Sequence, residues 1–184
     1  MREALRTLVE SDYWVYGLTE ADFEYTVRLT ESVIERQERA LMEEERRTRE
    51  EHPYQEADDM LDDNLYYARV ETDYLWHFCL WRLQAVLEGL VVHKFLPEPV
   101  RSGLVGLRKK LLAIRSAGYS LSDSDYDDLI SWGRVRNALS HAPPEQYRPG
   151  SLGREDIQEY QRLVTRLCET WRAEQEVLGR RGVD

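Results

Sequence analysis

Helix-breaking residues are sparse in this sequence, and they fall together at a few points. The chain has 184 residues, of which 10 are glycine and 6 are proline. Proline cannot continue a helix, because its ring removes a backbone donor and clashes with the preceding turn. The intervals between His52-Pro53, Pro97–Pro99 and Pro143-Pro144 therefore predict long helices, which we place at residues 19–51, 56–95, 100–117, 122–141 and 154–178.

The pattern of apolar residues along these segments indicates how the helices pack. The first segment has apolar residues at helical spacing, with Thr19 as its cap and Asp22 near its positive end. Residues 75–91 are apolar on most sides, which is typical of a helix at the centre of a bundle or in a dimer interface. We find no segment with the alternating apolar pattern that is typical of a β-strand. We predict an all-α fold, an up-and-down bundle of about five helices with a long N-terminal helix. A single domain at residues 19–184 would follow a leader at residues 1–18.

The charge of the chain is strongly negative and unevenly distributed. The formal net charge is -10, whereas proteins that coat duplex nucleic acid are usually strongly basic, so that function is disfavoured. Residues 43–73 carry twelve carboxylates against four arginines, and residues 94–115 carry six basic residues against one acid. A molecule of this kind can present one basic face to a polyanion and keep another face solvated.

Cysteine content and hydropathy predict an intracellular protein. The chain has two cysteines, Cys79 and Cys168, both in apolar helical contexts that favour buried, reduced thiols. The N-terminal residues lack the apolar core of a signal peptide. We find no uncharged apolar stretch of the length that a membrane span requires. We therefore expect a cytoplasmic protein that does not contact membranes.

The end of the fourth predicted helix concentrates polar side chains that can perform chemistry. Its last residues are Arg136-Asn137-Ala138-Leu139-Ser140-His141. With about 100° between successive residues, the polar members fall on one half of the helix together with Arg134, and Gly133 leaves that half open to a ligand. Arginine binds phosphate with forked donors, and histidine can transfer protons near neutral pH.

This motif resembles the active-site signature of the HEPN ribonucleases, a family of small helical bundles with Arg-Asn-x-x-x-His on a late helix. The resemblance implies that His141 transfers protons, Arg136 stabilises the scissile phosphate and Asn137 orients the site. It also implies a homodimer that pairs two motifs and cleaves RNA without metal or cofactor, leaving a 2',3'-cyclic phosphate. Many members of the family are prokaryotic toxins or antiviral effectors, so an antitoxin or regulatory protein is an expected partner.

Further residues are candidate contacts for the RNA substrate. Arg134 and Ser140 lie beside the motif, and Lys109 and Lys110 belong to the basic third helix. An alternative function is a non-catalytic HEPN interaction module, which would use the apolar second helix to bind itself, a partner protein or a nucleotide.

Two other groups of residues suggest a metal site. The segment 58–63 fits the pattern Asp-Asp-x-x-Asp, which holds magnesium in some helical enzymes, but we interpret it as a solvated acidic helix start. His77 and Cys79 are two residues apart and point in different directions, so we expect both, like His93, to be core or interface residues.

Glu88 is a carboxylate inside an apolar run, and a buried carboxylate needs a partner. Glu88 either pairs with an arginine of the fourth helix and orients it, or makes a purely structural pair, and we favour the structural pair.

Overall fold

The computed structural model describes residues 18–97, 100, 104–141 and 151–181, with His141 and residues 178–181 described by their backbone alone. Over these ranges the chain forms an all-α helical bundle without strands, as predicted from the sequence. The five α-helices are α1 (Ala21–Glu51), α2 (Tyr54–Leu90), α3 (Leu107–Ser116), α4 (Asp123–His141) and α5 (Arg154–Arg181). The predicted leader, with the exception of Leu18, and residues 142–150 lie outside the described residues.

Local sequence signals explain where most of these helices begin and end. α1 ends at Glu51 and α2 begins at Tyr54, on either side of the His52-Pro53 break. At the start of α4 the Ser122 hydroxyl accepts a hydrogen bond from the Asp125 N–H at 3.0 Å. This bond caps the helix, and the same hydroxyl also donates to the Asp125 carboxylate at 2.7 Å.

The third helix is shorter than the sequence predicts. We expected it to run without interruption from residue 100. Val100 is helical, but Leu104 and Val105 are not, and α3 begins at Leu107. Gly106 adopts a φ of 84°, a left-handed conformation that interrupts helical winding and that glycine accepts at low cost.

The core of the bundle surrounds the second half of α2. Leu80, Leu83 and Leu87 of α2 are fully buried, and Tyr160 and Trp171 of α5 are the largest fully buried side chains. An 18-residue window of the helical segment Tyr54–Phe95 is apolar enough to resemble a membrane span, with a mean hydropathy of 1.2. Half of that window is buried inside the bundle, as expected of a core helix.

A π-helical turn, Val91–Phe95, extends α2. The carbonyl groups at its end accept hydrogen bonds from side chains of other elements. Gln175 of α5 donates to the Lys94 carbonyl at 2.8 Å, and the Tyr119 hydroxyl donates to the Phe95 carbonyl at 3.0 Å. These bonds fix the end of α2 against α5 and against the connection that leads to α4.

Candidate functional site

A cavity of about 510 Å³ lies where α2, α3 and α4 meet. Its lining combines charged, polar and apolar side chains, namely Trp81, Ala85, Glu88, Gly89, Val92, His93, Leu104, Lys110, Arg136 and Ser140. The cavity thus contains the arginine of the motif together with a lysine of the basic third helix. Its size is typical of a site for a small ligand or for part of a larger one.

Glu88, one of the lining residues, connects the three helices. Its carboxylate accepts a hydrogen bond from Lys110 of α3 at 2.6 Å and another from Arg136 of α4 at 3.2 Å. Gln84, one turn earlier on α2, donates to the same carboxylate at 3.1 Å. The side chains are 15% exposed at Glu88, 16% at Lys110 and 30% at Arg136. Glu88 therefore pairs with an arginine of the fourth helix, which is the alternative that the sequence interpretation did not favour.

This arrangement leaves one positive charge in excess within the group. Lys110 and Arg136 contribute two positive charges, and Glu88 contributes one negative charge. Because the three side chains are largely removed from water, their interactions are screened less than those on the open surface. An anion that enters the cavity would find two donors already held in place by Glu88.

The structure brings some of the predicted site residues together. Arg136 and Ser140, one helical turn apart on α4, both line the cavity with Lys110. The Ser140 hydroxyl also donates to the Arg136 carbonyl at 2.8 Å, within the helix. Asn137 is exposed to solvent. His141 is the last residue of α4, and its side chain lies outside the described part of the chain.

Two other predicted substrate contacts do not line this cavity. Arg134 lines a second cavity of about 460 Å³ on another side of α4, with Ser131, Val135 and Ala138. Lys109 is exposed on α3, whereas its neighbour Lys110 points into the first cavity. The geometry therefore separates Arg134 from Arg136, because residues two apart on a helix point in different directions.

Gly133 has a packing role and does not open the helix to a ligand, contrary to our expectation. It is buried, and a Cβ atom built on it would lie 2.9 Å from Cδ2 of Leu107 and 3.7 Å from Nε2 of Gln84. The missing side chain allows α4 to approach α2 and the first turn of α3 closely.

His93, which we expected to be a core or interface residue, and Trp81 both line the cavity. His93 lies in the π-helical turn and is exposed, not buried. Trp81, Ala85 and Gly89 recur at four-residue steps, so α2 presents them on one face, and His93 follows in the π-helical turn. That spacing was visible in the sequence, but the cavity beside it was not.

The other histidine and cysteine candidates behave as predicted. Cys79 is buried with a free thiol, and His77 is half-buried with its ring edge-on to Tyr74. Burial lowers the pKa of His77, although the nearby Asp73 carboxylate opposes this effect.

The acidic segment 58–63 is for the most part solvated, and Asp58 pairs with Arg49 of α1 at 2.8 Å. Over the described ranges, no three His, Cys, Asp or Glu side chains come close enough to bind one metal ion.

Comparisons with protein-family models, with curated proteins and with solved structures found no match to this chain.

Proposed function

We propose that the protein is a metal-independent endoribonuclease of HEPN type that acts as a cytoplasmic homodimer. The observation that supports this most directly is the shared cavity of Arg136 and Lys110, where Glu88 orients both cations. The Arg-Asn-x-x-x-His motif places Arg136 and His141 on the same helical end.

The proposed reaction is cleavage by the neighbouring 2'-hydroxyl of the RNA. The 2'-oxygen loses its proton to a base and bonds to phosphorus, and the bond from phosphorus to the 5'-oxygen breaks. The products are a 2',3'-cyclic phosphate and a 5'-hydroxyl, which receives a proton from an acid. Arg136 and Lys110 would stabilise the negative charge on the phosphate oxygens, His141 would transfer protons and Asn137 would orient the site.

A second subunit would complete the set of proton-transfer groups. Arg136 and His141 are five residues apart, which corresponds to about 140° on an ideal helix, so one subunit aims them in different directions. A symmetric dimer that faces two α4 ends across one cleft would combine the arginine of one subunit with the histidine of the other. By the same resemblance we propose a role as a toxin or antiviral effector that a partner protein restrains.

The test is incubation of the purified protein with total RNA and with tRNA, followed by mapping of the product ends. We expect cleavage with 2',3'-cyclic phosphate ends, undiminished by EDTA, and loss of cleavage in His141→Ala and Arg136→Ala. Arg162→Ala, which removes an exposed arginine of α5, is the matched control and should retain activity. Undiminished cleavage by His141→Ala would contradict the catalytic assignment, and inhibition by EDTA would contradict the metal-independent mechanism.

A second candidate is a non-catalytic interaction module, and one surface favours it. A groove of about 410 Å³ between α1 and α2 is lined mainly by apolar side chains, including Tyr25, Leu29 and Phe78. Tyr25 is 66% exposed and Phe78 is 60% exposed, which is typical of a surface that contacts another protein. Absence of RNA cleavage by the wild type, together with loss of self-association in Phe78→Ser, would support this candidate over the enzyme.

A further inference from the structure

The cavity that holds Arg136 has two chemically different walls. α3 and α4 contribute charged and hydroxyl groups, from Lys110, Arg136 and Ser140, whereas α2 contributes mostly apolar groups beside Glu88. The largest of these is Trp81, which is 42% exposed. An anionic group fits the first wall and a planar apolar ring fits the second. A nucleotide carries both.

The surroundings of Trp81 leave space for a ring beside it. Phe78 packs against the indole with the ring planes at 88° and the centroids 6.3 Å apart, so it supports Trp81 on one side. Ala85, one helical turn further along α2, lines the cavity with only a methyl group and is exposed. Among the residues that the structure describes, no large side chain needs to be displaced for a flat ligand to lie against Trp81 beside Ala85.

Electrostatics alone gives this protein little affinity for RNA. The chain has a net charge of -10, and Glu88 already neutralises one of the two cations in the cavity. The charge-dependent part of binding is measured by how steeply the logarithm of the RNA association constant falls with the logarithm of the salt concentration. For a single strand, each phosphate contact contributes only about -0.7 to this slope. One or two contacts therefore leave most of the affinity to interactions that do not depend on charge. Stacking of a base on an exposed aromatic ring is such an interaction.

We propose that Trp81 is the stacking surface for an unpaired nucleobase next to the phosphate bound by Arg136 and Lys110. The substrate class is therefore single-stranded RNA, and this inference rests on the proposed ribonuclease function. Trp81 precedes Glu88 by seven residues, about 10 Å along the helix, so the stacked base belongs to a flanking nucleotide of an extended strand. A base inside a duplex is stacked on its neighbours and cannot reach Trp81.

The experiment measures binding of a fluorescein-labelled single-stranded RNA to the full chain carrying His141→Ala, which prevents loss of the probe by cleavage. In this background we expect Trp81→Ala to raise the Kd about 5- to 150-fold, and Trp81→Phe to raise it much less. Ala85→Leu should also weaken binding, because the larger side chain fills the space beside the indole. Tyr74→Ala is the matched control, since Tyr74 is an aromatic residue of α2 that is 59% exposed and lies outside the cavity lining.

Two results would overturn the inference. One is that Trp81→Ala and Tyr74→Ala bind the single-stranded RNA with equal affinity. The other is that the His141→Ala chain with Trp81 intact binds single-stranded and duplex RNA equally well. The cleavage assay on the wild type separates this failure from that of the proposed function. If the wild type cleaves RNA but Trp81→Ala does not weaken binding, the stacking subsite is wrong and the proposed ribonuclease function stands. If Trp81→Ala weakens binding but the wild type does not cleave RNA, the proposed ribonuclease function is wrong and the nucleobase subsite stands.

Discussion

The carboxylate of Glu88 accepts a hydrogen bond from the guanidinium of Arg136 at 3.2 Å, although the two residues are 48 positions apart in the sequence. The other carboxylate oxygen accepts from Lys110 at 2.6 Å. One side chain of α2 therefore sets the relative positions of two cations on α3 and α4, and it does so inside the cavity that we propose as the active site.

We expect Glu88→Ala to lower the free energy of unfolding by about 1–3 kcal/mol, because Lys110 and Arg136 would lose a partner that is largely shielded from water. Urea denaturation followed by circular dichroism measures this loss. Glu24→Ala is the control, since its partner Arg28 and Glu24 itself are both highly exposed, and such pairs contribute less than about 1 kcal/mol. Equal losses in the two variants would show that the Glu88 interactions do not stabilise the fold.

We expect Gly133→Val to destabilise the bundle by about 1–3 kcal/mol, because the new side chain would enter the space of Leu107 and push α4 away from α3. The measurement is again the free energy of unfolding. Ala138→Val places the same β-branched side chain at a less buried position of α4, and it should cost less than about 1 kcal/mol. A Gly133→Val variant as stable as Ala138→Val would contradict the packing role assigned to this glycine.

The Asp125–Arg166 pair makes stability depend on pH in the acid range. The hydrogen bond from Arg166 holds the pKa of Asp125 below its usual value, despite the opposing effect of burial. The stabilisation is therefore complete above the unfolded pKa of about 4, and it is lost as the pH falls through the lower folded pKa.

Urea denaturation between about pH 5 and about pH 3 should show a larger loss of stability in the wild type than in Asp125→Asn. Asp127→Asn, which changes an exposed carboxylate of the same helix, should follow the wild type. A wild-type profile parallel to that of Asp125→Asn would rule out the contribution of this pair.

Both cysteine thiols should be unreactive in the folded protein. Burial raises the pKa of Cys79 to about 11 and that of Cys168 to about 12, so neither forms much thiolate near neutral pH. We expect Ellman's reagent to label neither thiol in native buffer and both in denaturant. Cys79→Ser and Cys168→Ser assign any signal that appears, and rapid native labelling of either thiol would contradict its burial.

The sequence predicted the fold well where local signals decide the outcome. The His52-Pro53 break and the Ser122 cap act within a few residues, and both helix boundaries appear where they were expected. The start of the third helix was missed, because the left-handed conformation of Gly106 depends on how the chain must turn between α2 and α3. The helix propensities of the residues do not specify the direction of that turn.

The candidate site was predictable only in part. The motif identified Arg136 and Ser140, and the apolar surroundings of Glu88 indicated a charged partner. The identity of Lys110 as the other partner, and the separation of Arg134 from Arg136, follow from how three helices pack. Contacts between residues far apart in the chain are set by that packing, which helical periodicity does not specify.

The π-helical turn at Val91–Phe95 also determines where the length of α2 can change. Removing a single residue there would restore ordinary α-helical winding and leave the direction of the following chain almost unchanged, because the π turn absorbs one extra residue. A second deletion, or one elsewhere in α2, would rotate everything that follows by about 100°. The carbonyls of Lys94 and Phe95 would then turn away from Gln175 and Tyr119. We therefore expect homologous chains to vary freely in amino-acid type along much of α2 and to differ by at most one residue in length between Glu88 and Leu96.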